Sequence, residues 1–276
     1  MKPEPKTTTD RAAATAPGER PENFFQVENV FRDIGAQQVL RGVSLDVRRS
    51  ETMVIIGASG EGKSVLLKHL TGLMQPDSGE IHVDGVEISR LSERALGPTR
   101  RKVGILFQDG ALFDSMTVGQ NVAFPLFEGG LVNSEEVEAR VRKALAVVEL
   151  EAHIEKMPIE LSGGMRKRVA LARAVVSNPR SILYDEPTSG LDPVVADSIN
   201  RLIRRLQSEF RVTSVVVTHD MTSAYHIADR IAYLRQGRIY FLGTPEQLRA
   251  ASDPAILNFV EGRSRPPVEK GGEQPL

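Results

Sequence analysis

The chain has 276 residues, 41% of them hydrophobic and 26% charged, and its 35 Lys and Arg against 36 Asp and Glu leave a formal net charge of −1. That balance excludes a strongly basic nucleic-acid binder, and the lack of cysteine excludes disulfides, Cys-ligated zinc and iron–sulfur clusters. The longest uncharged stretch, Ser115–Phe127, is far short of the ~20 apolar residues that a membrane-spanning helix needs.

Pro3, Pro5, Pro17, Pro21, Pro266, Pro267 and Pro275 crowd the two ends of the chain, in segments that are otherwise polar. Mobile tails are expected over 1–22 and 263–276, with one folded domain over 23–262 between them. The amino-terminal segment lacks the apolar centre of a signal peptide, so a cytoplasmic protein is expected.

The first elements read as strands. Val43–Val47 alternates apolar and polar residues, and Ile81–Ile88 is a hairpin pattern with Asp84-Gly85 at its turn. Met53–Ile56, Ile182–Tyr184 and Val215–Val217 are short apolar runs of the kind that form fully buried strands, and each ends at a chemically loaded residue or loop. Ligands of open α/β sheets sit at such strand ends. Between them, the stretch at about 115–178 has helical spacing, as in Val137, Val141, Leu145 and Val148, and reads as a helical insertion. A late hairpin around Gln236-Gly237 closes the sheet.

Gly57-Ala58-Ser59-Gly60-Glu61-Gly62-Lys63-Ser64 fits the phosphate-loop pattern G-x-x-x-x-G-K-[ST], with a strand before it and a helical pattern after it. Glycines let successive backbone N–H groups converge on phosphate oxygens, and the helix start adds unpaired donors and a positive dipole end. Lys63 supplies charge to the β- and γ-phosphates and Ser64 a hydroxyl for Mg²⁺. Glu61 is expected to point to solvent, away from the nucleotide.

Asp185 and Glu186 end the second buried run. Burying two ionised acids is costly without a compensating cation or hydrogen bonds. Mg²⁺ held with Ser64 would compensate Asp185, and Glu186 would then orient or deprotonate the water that attacks the γ-phosphate. His219 follows the third run and is placed to bond that phosphate or the attacking water. Read singly, the acids could be an exposed pair and the histidine a surface residue; beside a phosphate loop the functional reading is preferred.

Three further motifs bear on the family. Leu161-Ser162-Gly163-Gly164-Met165 resembles the signature of ATP-binding cassette (ABC) proteins, Gln108 in Phe107-Gln108-Asp109 their Q-loop, and Ser189-Gly190-Leu191-Asp192 their D-loop. The order of all six motifs matches that family over about residues 24–245. The resemblance implies an α/β P-loop NTPase fold: an ABC cassette with a RecA-like core, an amino-terminal antiparallel β-subdomain and a helical subdomain. It also implies ATP and Mg²⁺ as cofactors, a metal set of Ser64, Gln108 and Asp185, and a head-to-tail homodimer. In that dimer Ser162, Gly163 and Gly164 of one copy would meet the nucleotide on the phosphate loop of the other, and Asp192 would be a further nucleotide-binding residue. A membrane permease would dock near Ala111–Met116, where Leu112, Phe113 and Met116 cluster; burial of these three within the insertion is the competing reading.

Phe107–Thr117, Met157–Met165 and Ile256–Gly262 resemble more narrowly the ATPase subunits of bacterial transporters that work with MCE-domain lipid-binding proteins, including the Mla-type phospholipid systems. This implies an ATPase on the cytoplasmic face of the inner membrane that powers lipid trafficking, with no nucleic-acid partner. The ATPase of a small-solute importer shares all six motifs, and a soluble ABC ATPase of DNA repair or translation is a further alternative. Two positions depart from the common pattern. Ile34 stands where most cassettes stack an aromatic ring on adenine, a contact worth ~1–3 kcal/mol, unless Phe31 substitutes. Met165 replaces the usual signature Gln.

Overall fold

The computed structural model describes residues 22–262, so the predicted tails at 1–22 and 263–276 lie, apart from Glu22, outside the described residues. Two sheets and nine α-helices are built along this stretch. The strands are β1 (Asn23–Ile34), β2 (Gln37–Arg48), β3 (Thr52–Ile56), β4 (Ser78–Val83), β5 (Val86–Glu87), β6 (Val103–Leu106), β7 (Ser181–Asp185), β8 (Thr213–Thr218), β9 (Arg230–Arg235) and β10 (Arg238–Gly243). The helices are α1 (Lys63–Leu70), α2 (Glu93–Arg100), α3 (Val118–Glu128), α4 (Ser134–Val147), α5 (Gly163–Val175), α6 (Pro193–Phe210), α7 (Met221–Ile227), α8 (Pro245–Arg249) and α9 (Pro254–Val260).

One sheet has the order β2-β1-β4-β5 and the other β10-β9-β3-β8-β7-β6. The first is antiparallel throughout. In the second, β9, β3, β8, β7 and β6 run parallel, and β10 closes one edge as the antiparallel arm of a hairpin.

The apolar runs of the sequence are explained by what covers this sheet. Side chains alternate between the two faces of a strand. Val54, Ile56, Ile182, Tyr184 and Val216 therefore enter one hydrophobic core, which they share with α3–α6. Met53, Ile55, Leu183, Val215 and Val217 enter a second core, beneath the antiparallel sheet. With both faces covered, the strands show no polar alternation.

Three elements gave no clear signal in the sequence. The alternation of β1 is broken by register shifts around Glu28–Phe31 and by Asn29 at φ 49°. β6 has four residues, one of them Gly104, where a Cβ would stand 2.4 Å from the Ala174 carbonyl oxygen of α5. α2 carries Pro98 within it. Between residues 115 and 178 the chain forms α3, α4, two short 3₁₀ turns and α5.

Candidate active site

The parallel strands deliver their carboxyl ends to one edge of the sheet. β3 ends just before Gly57, β7 at Asp185 and β8 just before His219. The phosphate loop leaves β3 and enters α1 through Gly62, which has φ 99° and forms the helix N-cap. Gly60 also sits at positive φ, 81°. These are left-handed conformations that side chains disfavour, and they turn the loop's N–H groups inward.

The loop's functional groups are tied to the acidic pair. Lys63 is 7% exposed, and its Nζ donates to the carbonyls of Gly57 at 2.8 Å and Ala58 at 3.1 Å. The same Nζ lies 3.7 Å from a Glu186 carboxylate oxygen. Ser64 Oγ donates to Asp185 Oδ1 at 2.9 Å. Burial lowers the Lys63 ammonium pKa, against the opposing pull of Glu186 and Asp185. Burial likewise raises the Asp185 carboxyl, and the hydrogen bond from Ser64 offsets this only in part. Both groups are thus held at a cost that an incoming anion and cation would relieve.

Glu186 is held from three directions. Its backbone is at φ 48°, an uncommon conformation for a non-glycine residue that costs about 1–3 kcal/mol, and its N–H donates to the Val217 carbonyl at 2.9 Å. Thr218 Oγ1 donates to Oε2 at 3.2 Å. His219 Nδ1 is 3.0 Å from both carboxylate oxygens. A carboxylate only accepts, so Nδ1 carries a proton in this contact, and Nε2 is the ring nitrogen that Glu186 leaves free.

Glu186 and His219 line a cavity of about 370 Å³ with Ser189, Gly190 and Leu191. A second cavity, about 250 Å³, is lined by Gly60, Gly62, Lys63, Ser64, Val39 and Ile34. The Lys63–Glu186 contact joins the two. Ile34 is 46% exposed there. Phe31 does not replace it: its ring lies over Gly42, where a Cβ would be 2.9 Å away, and it does not line this cavity.

One expectation needs correction and two gain detail. Glu61 does not simply face solvent; its carboxylate accepts the Gln236 N–H in the turn between β9 and β10, which removes it from the phosphate path. Gln108 is exposed, and it enters the cluster through its main chain, its carbonyl accepting from Lys167 Nζ. The Asp192 carboxylate is the N-cap of α6, accepting from Val194 and Val195 N–H at 3.0 Å.

Ser162 caps α5, its Oγ accepting from Met165 N–H at 3.3 Å. Gly163 and Gly164 form the first turn of α5, and Gly164 allows α6 to approach, since a Cβ there would be 2.5 Å from Val195. None of Ser162, Gly163, Gly164 and Asp192 lines either cavity.

Sequence reading missed Lys167, Asn121 and the Asn200–Ser223 pair. Lys167, on α5 and 7% exposed, spans from the Gln108 carbonyl to the Glu186 carbonyl, the latter at 3.4 Å. Asn121 is fully buried and holds the loop after Gln108, accepting from Phe113 N–H and donating to the Phe113, Met116 and Thr117 carbonyls. Asn200 Nδ2 donates to Ser223 Oγ at 2.8 Å, and Ser223 Oγ to the Asp220 carboxylate. Asn121 sits within the largely apolar Val118–Leu126 stretch, and that mismatch was the available signal; Lys167, between Arg166 and Arg168, gave none.

Comparison with protein families matches residues 40–189 to the ABC transporter family. The probable ribonucleotide transport ATP-binding protein mkl of Mycobacterium leprae is 38% identical over 91% of this chain and 72% of its own length. The intermembrane phospholipid transport system ATP-binding protein MlaF of Haemophilus influenzae is 38% identical over 90% of this chain and 94% of its own. The dimeric, post-hydrolysis structure of the ATP-binding cassette MJ0796 with ADP and Pi superposes with a TM-score of 0.74 at 34% identity, covering 80% of this chain and 98% of that one. With a phosphate loop, an acidic pair and a histidine at one sheet edge, the chain belongs to the ABC transporter family, as an ATPase with the ABC cassette fold.

Proposed function

We propose that this ATPase energises a bacterial lipid transporter of the Mla type, acting as a homodimer beneath a membrane permease and with an MCE-domain lipid-binding protein. The observation that carries the lipid reading is the similarity to MlaF, which runs through 94% of that protein. The name of the mycobacterial relative favours a second reading, a transporter of small phosphorylated solutes.

Gly57–Ser64 would hold the triphosphate, with Lys63 turning from the carbonyls of its own loop to the β- and γ-oxygens. Mg²⁺ fits the donor set. Ser64 and Asp185 offer two hard oxygens, and no group of three or more His, Cys, Asp or Glu ligands occurs among the described residues. Mg²⁺ is usually bound by one or two protein oxygens, with phosphates and waters completing the shell. When bound it would neutralise charge developing on the phosphates; Gln108 joins that shell only if its side chain turns inward. Glu186 would accept the proton of the attacking water, and the His219 Nδ1–H and the Thr218 hydroxyl keep its carboxylate aimed.

Ser162–Gly164 and Asp192 lie outside both cavities, which suits groups that face a second copy's nucleotide; the dimeric state of the MJ0796 structure supports this arrangement. For the permease we favour the cleft of about 750 Å³ lined by Phe107, Ala111, Phe113, Phe124 and Leu131. Phe113 is 41% exposed there and packs on Phe124 with ring centroids 4.8 Å apart, whereas Leu112 turns into the core. No helix among the described residues is long and apolar enough to cross a membrane. Attachment through a permease at the inner face of the cell membrane accords with that.

Affinity capture from solubilised membranes tests the reading. Recovery of a permease with an MCE-domain protein supports it, a solute-binding protein supports the second reading, and nucleic acid or ribosomes would overturn both.

A further inference from the structure

A cleft of about 640 Å³ lies where α4, α5 and α6 end, against the starts of β7 and β8. It opens at the sheet edge opposite the phosphate loop. β8 alone, six residues long, separates the two edges by roughly 20 Å at about 3.3 Å per residue. The volume lies within the range of roughly 300–1,000 Å³ usual for small-molecule sites.

The lining is of two kinds. Arg49, Arg140, Lys143, Arg180 and Arg211 line it, and no Asp or Glu does. Its apolar part includes Phe24, Val147, Val176, Leu206 and Phe210, with Phe210 47% exposed.

Three of the five cations have an acidic partner and two do not. Asp84, whose side chain is 5% exposed, is shared among Arg49, Arg180 and Lys102. Glu136 pairs with Arg140. Lys143 and Arg211 form no ion pair among the described residues. Nor are these side chains needed to satisfy the helix ends. The Val147 and Val148 carbonyls at the end of α4 accept from Arg205 and Arg168, and the Val175 carbonyl of α5 accepts from Asn178 N–H. A cavity with uncompensated positive charge above an apolar floor is complementary to a negative head on an apolar body.

We propose that this cleft binds a small amphipathic anion, a phosphate or carboxylate group carried on a short apolar body. It is a second site, separate from the ATPase centre. It touches the far ends of α5 and α6, whose near ends carry the Ser162 and Asp192 caps.

The test is calorimetric titration of the full chain in the presence of saturating AMP-PNP, which occupies the phosphate loop. The probes are dihexanoyl phosphatidate, a lipid, and phenyl phosphate, a soluble ester. The controls are dihexanoyl phosphatidylcholine, with the same tails and no net charge, and inorganic phosphate, with charge and no apolar body. At least one probe should bind, tenfold or more tighter than both controls, and the tighter of the two identifies the source. The exposed double variant Lys143→Glu/Arg211→Glu should weaken it at least tenfold while basal ATP hydrolysis stays unchanged. Phe210→Ser should weaken it as well, through the apolar contact. Absence of binding, binding no tighter than the controls, loss of binding with AMP-PNP present, or equal binding by the double variant would each overturn the proposal.

Discussion

The phosphate loop and the start of α5 are both glycine-rich helix entrances, but they are built differently. The first is an interior polar network: Lys63 and Ser64 are tied to Glu186 and Asp185, and Glu186 to Thr218 and His219. The second is a surface feature whose polar side chain, Ser162, bonds only its own helix. Interior charges must be paired within the chain or by a ligand, whereas exposed N–H donors can wait for a partner that another molecule brings. The difference teaches that one helix start is tied up within its own chain and the other is presented outward.

Changing the interior network should have the largest effect. Glu186→Gln keeps the shape of the side chain and one accepting oxygen but removes the base, so hydrolysis should fall ~10²–10⁴-fold while ATP binding survives. Single-turnover hydrolysis and equilibrium nucleotide binding measure the two separately, and near wild-type turnover would remove Glu186 from its proposed role.

Breaking one helix start in each of two subunits tests the outward-facing half. Lys63→Ala and Ser162→Glu chains should each be inactive alone. Mixed in equal amounts, they should recover roughly a quarter of the sites, because half of the dimers would pair head to tail with one intact site each. Mixtures as inactive as their parents would refute the shared site.

Lys167 joins the two regions, since it stands on α5 yet touches the Gln108 and Glu186 carbonyls. Lys167→Met should lower kcat about tenfold, the loss of one charge-assisted hydrogen bond of about 1.5 kcal/mol. KM for ATP should change little, and Lys167→Arg should restore most of the rate. If kcat and melting temperature fall together and arginine rescues neither, the lysine is a packing residue.

The smallest effect concerns stability away from either helix start. Burial works to raise the Asp84 carboxyl, but hydrogen bonds from Lys102 and Arg49 overcome it and hold the pKa below the ordinary value. A depressed folded pKa contributes stability above the unfolded value of about 3.9, and this is lost as pH falls through the lower folded value. Asp84→Asn should therefore cost about 1–3 kcal/mol at neutral pH and flatten the acid limb of a melting-temperature profile. An unchanged acid limb would show that the three cations gain nothing from this carboxylate.

Much of the site was legible in the chain itself because its chemistry is local. Eight consecutive residues make the phosphate loop, and strand ends read as apolar runs that stop at Asp185 and before His219. The roles of Gln108 and Asp192 were not legible at the atomic level. Whether a side chain or a main-chain carbonyl enters a site depends on how the loop after β6 meets α5, and a carboxylate at a helix start is drawn to its own N–H groups. Phe31 and Ile34 likewise lie three residues apart in one strand, and only the approach of β2 decides that the ring covers Gly42.

What the order of residues determined alone were the phosphate loop, the buried strands and the sequence of motifs, since each follows from spacing along a single element. Only the tertiary structure decided the Lys167 bridge, the sharing of Asp84 among three cations and the basic cleft behind α5 and α6. These join residues tens of positions apart, Lys167 to Gln108 across 59 and Arg180 to Asp84 across 96. No local periodicity encodes such pairs, because the packing of separate helices and sheets brings them within bonding distance.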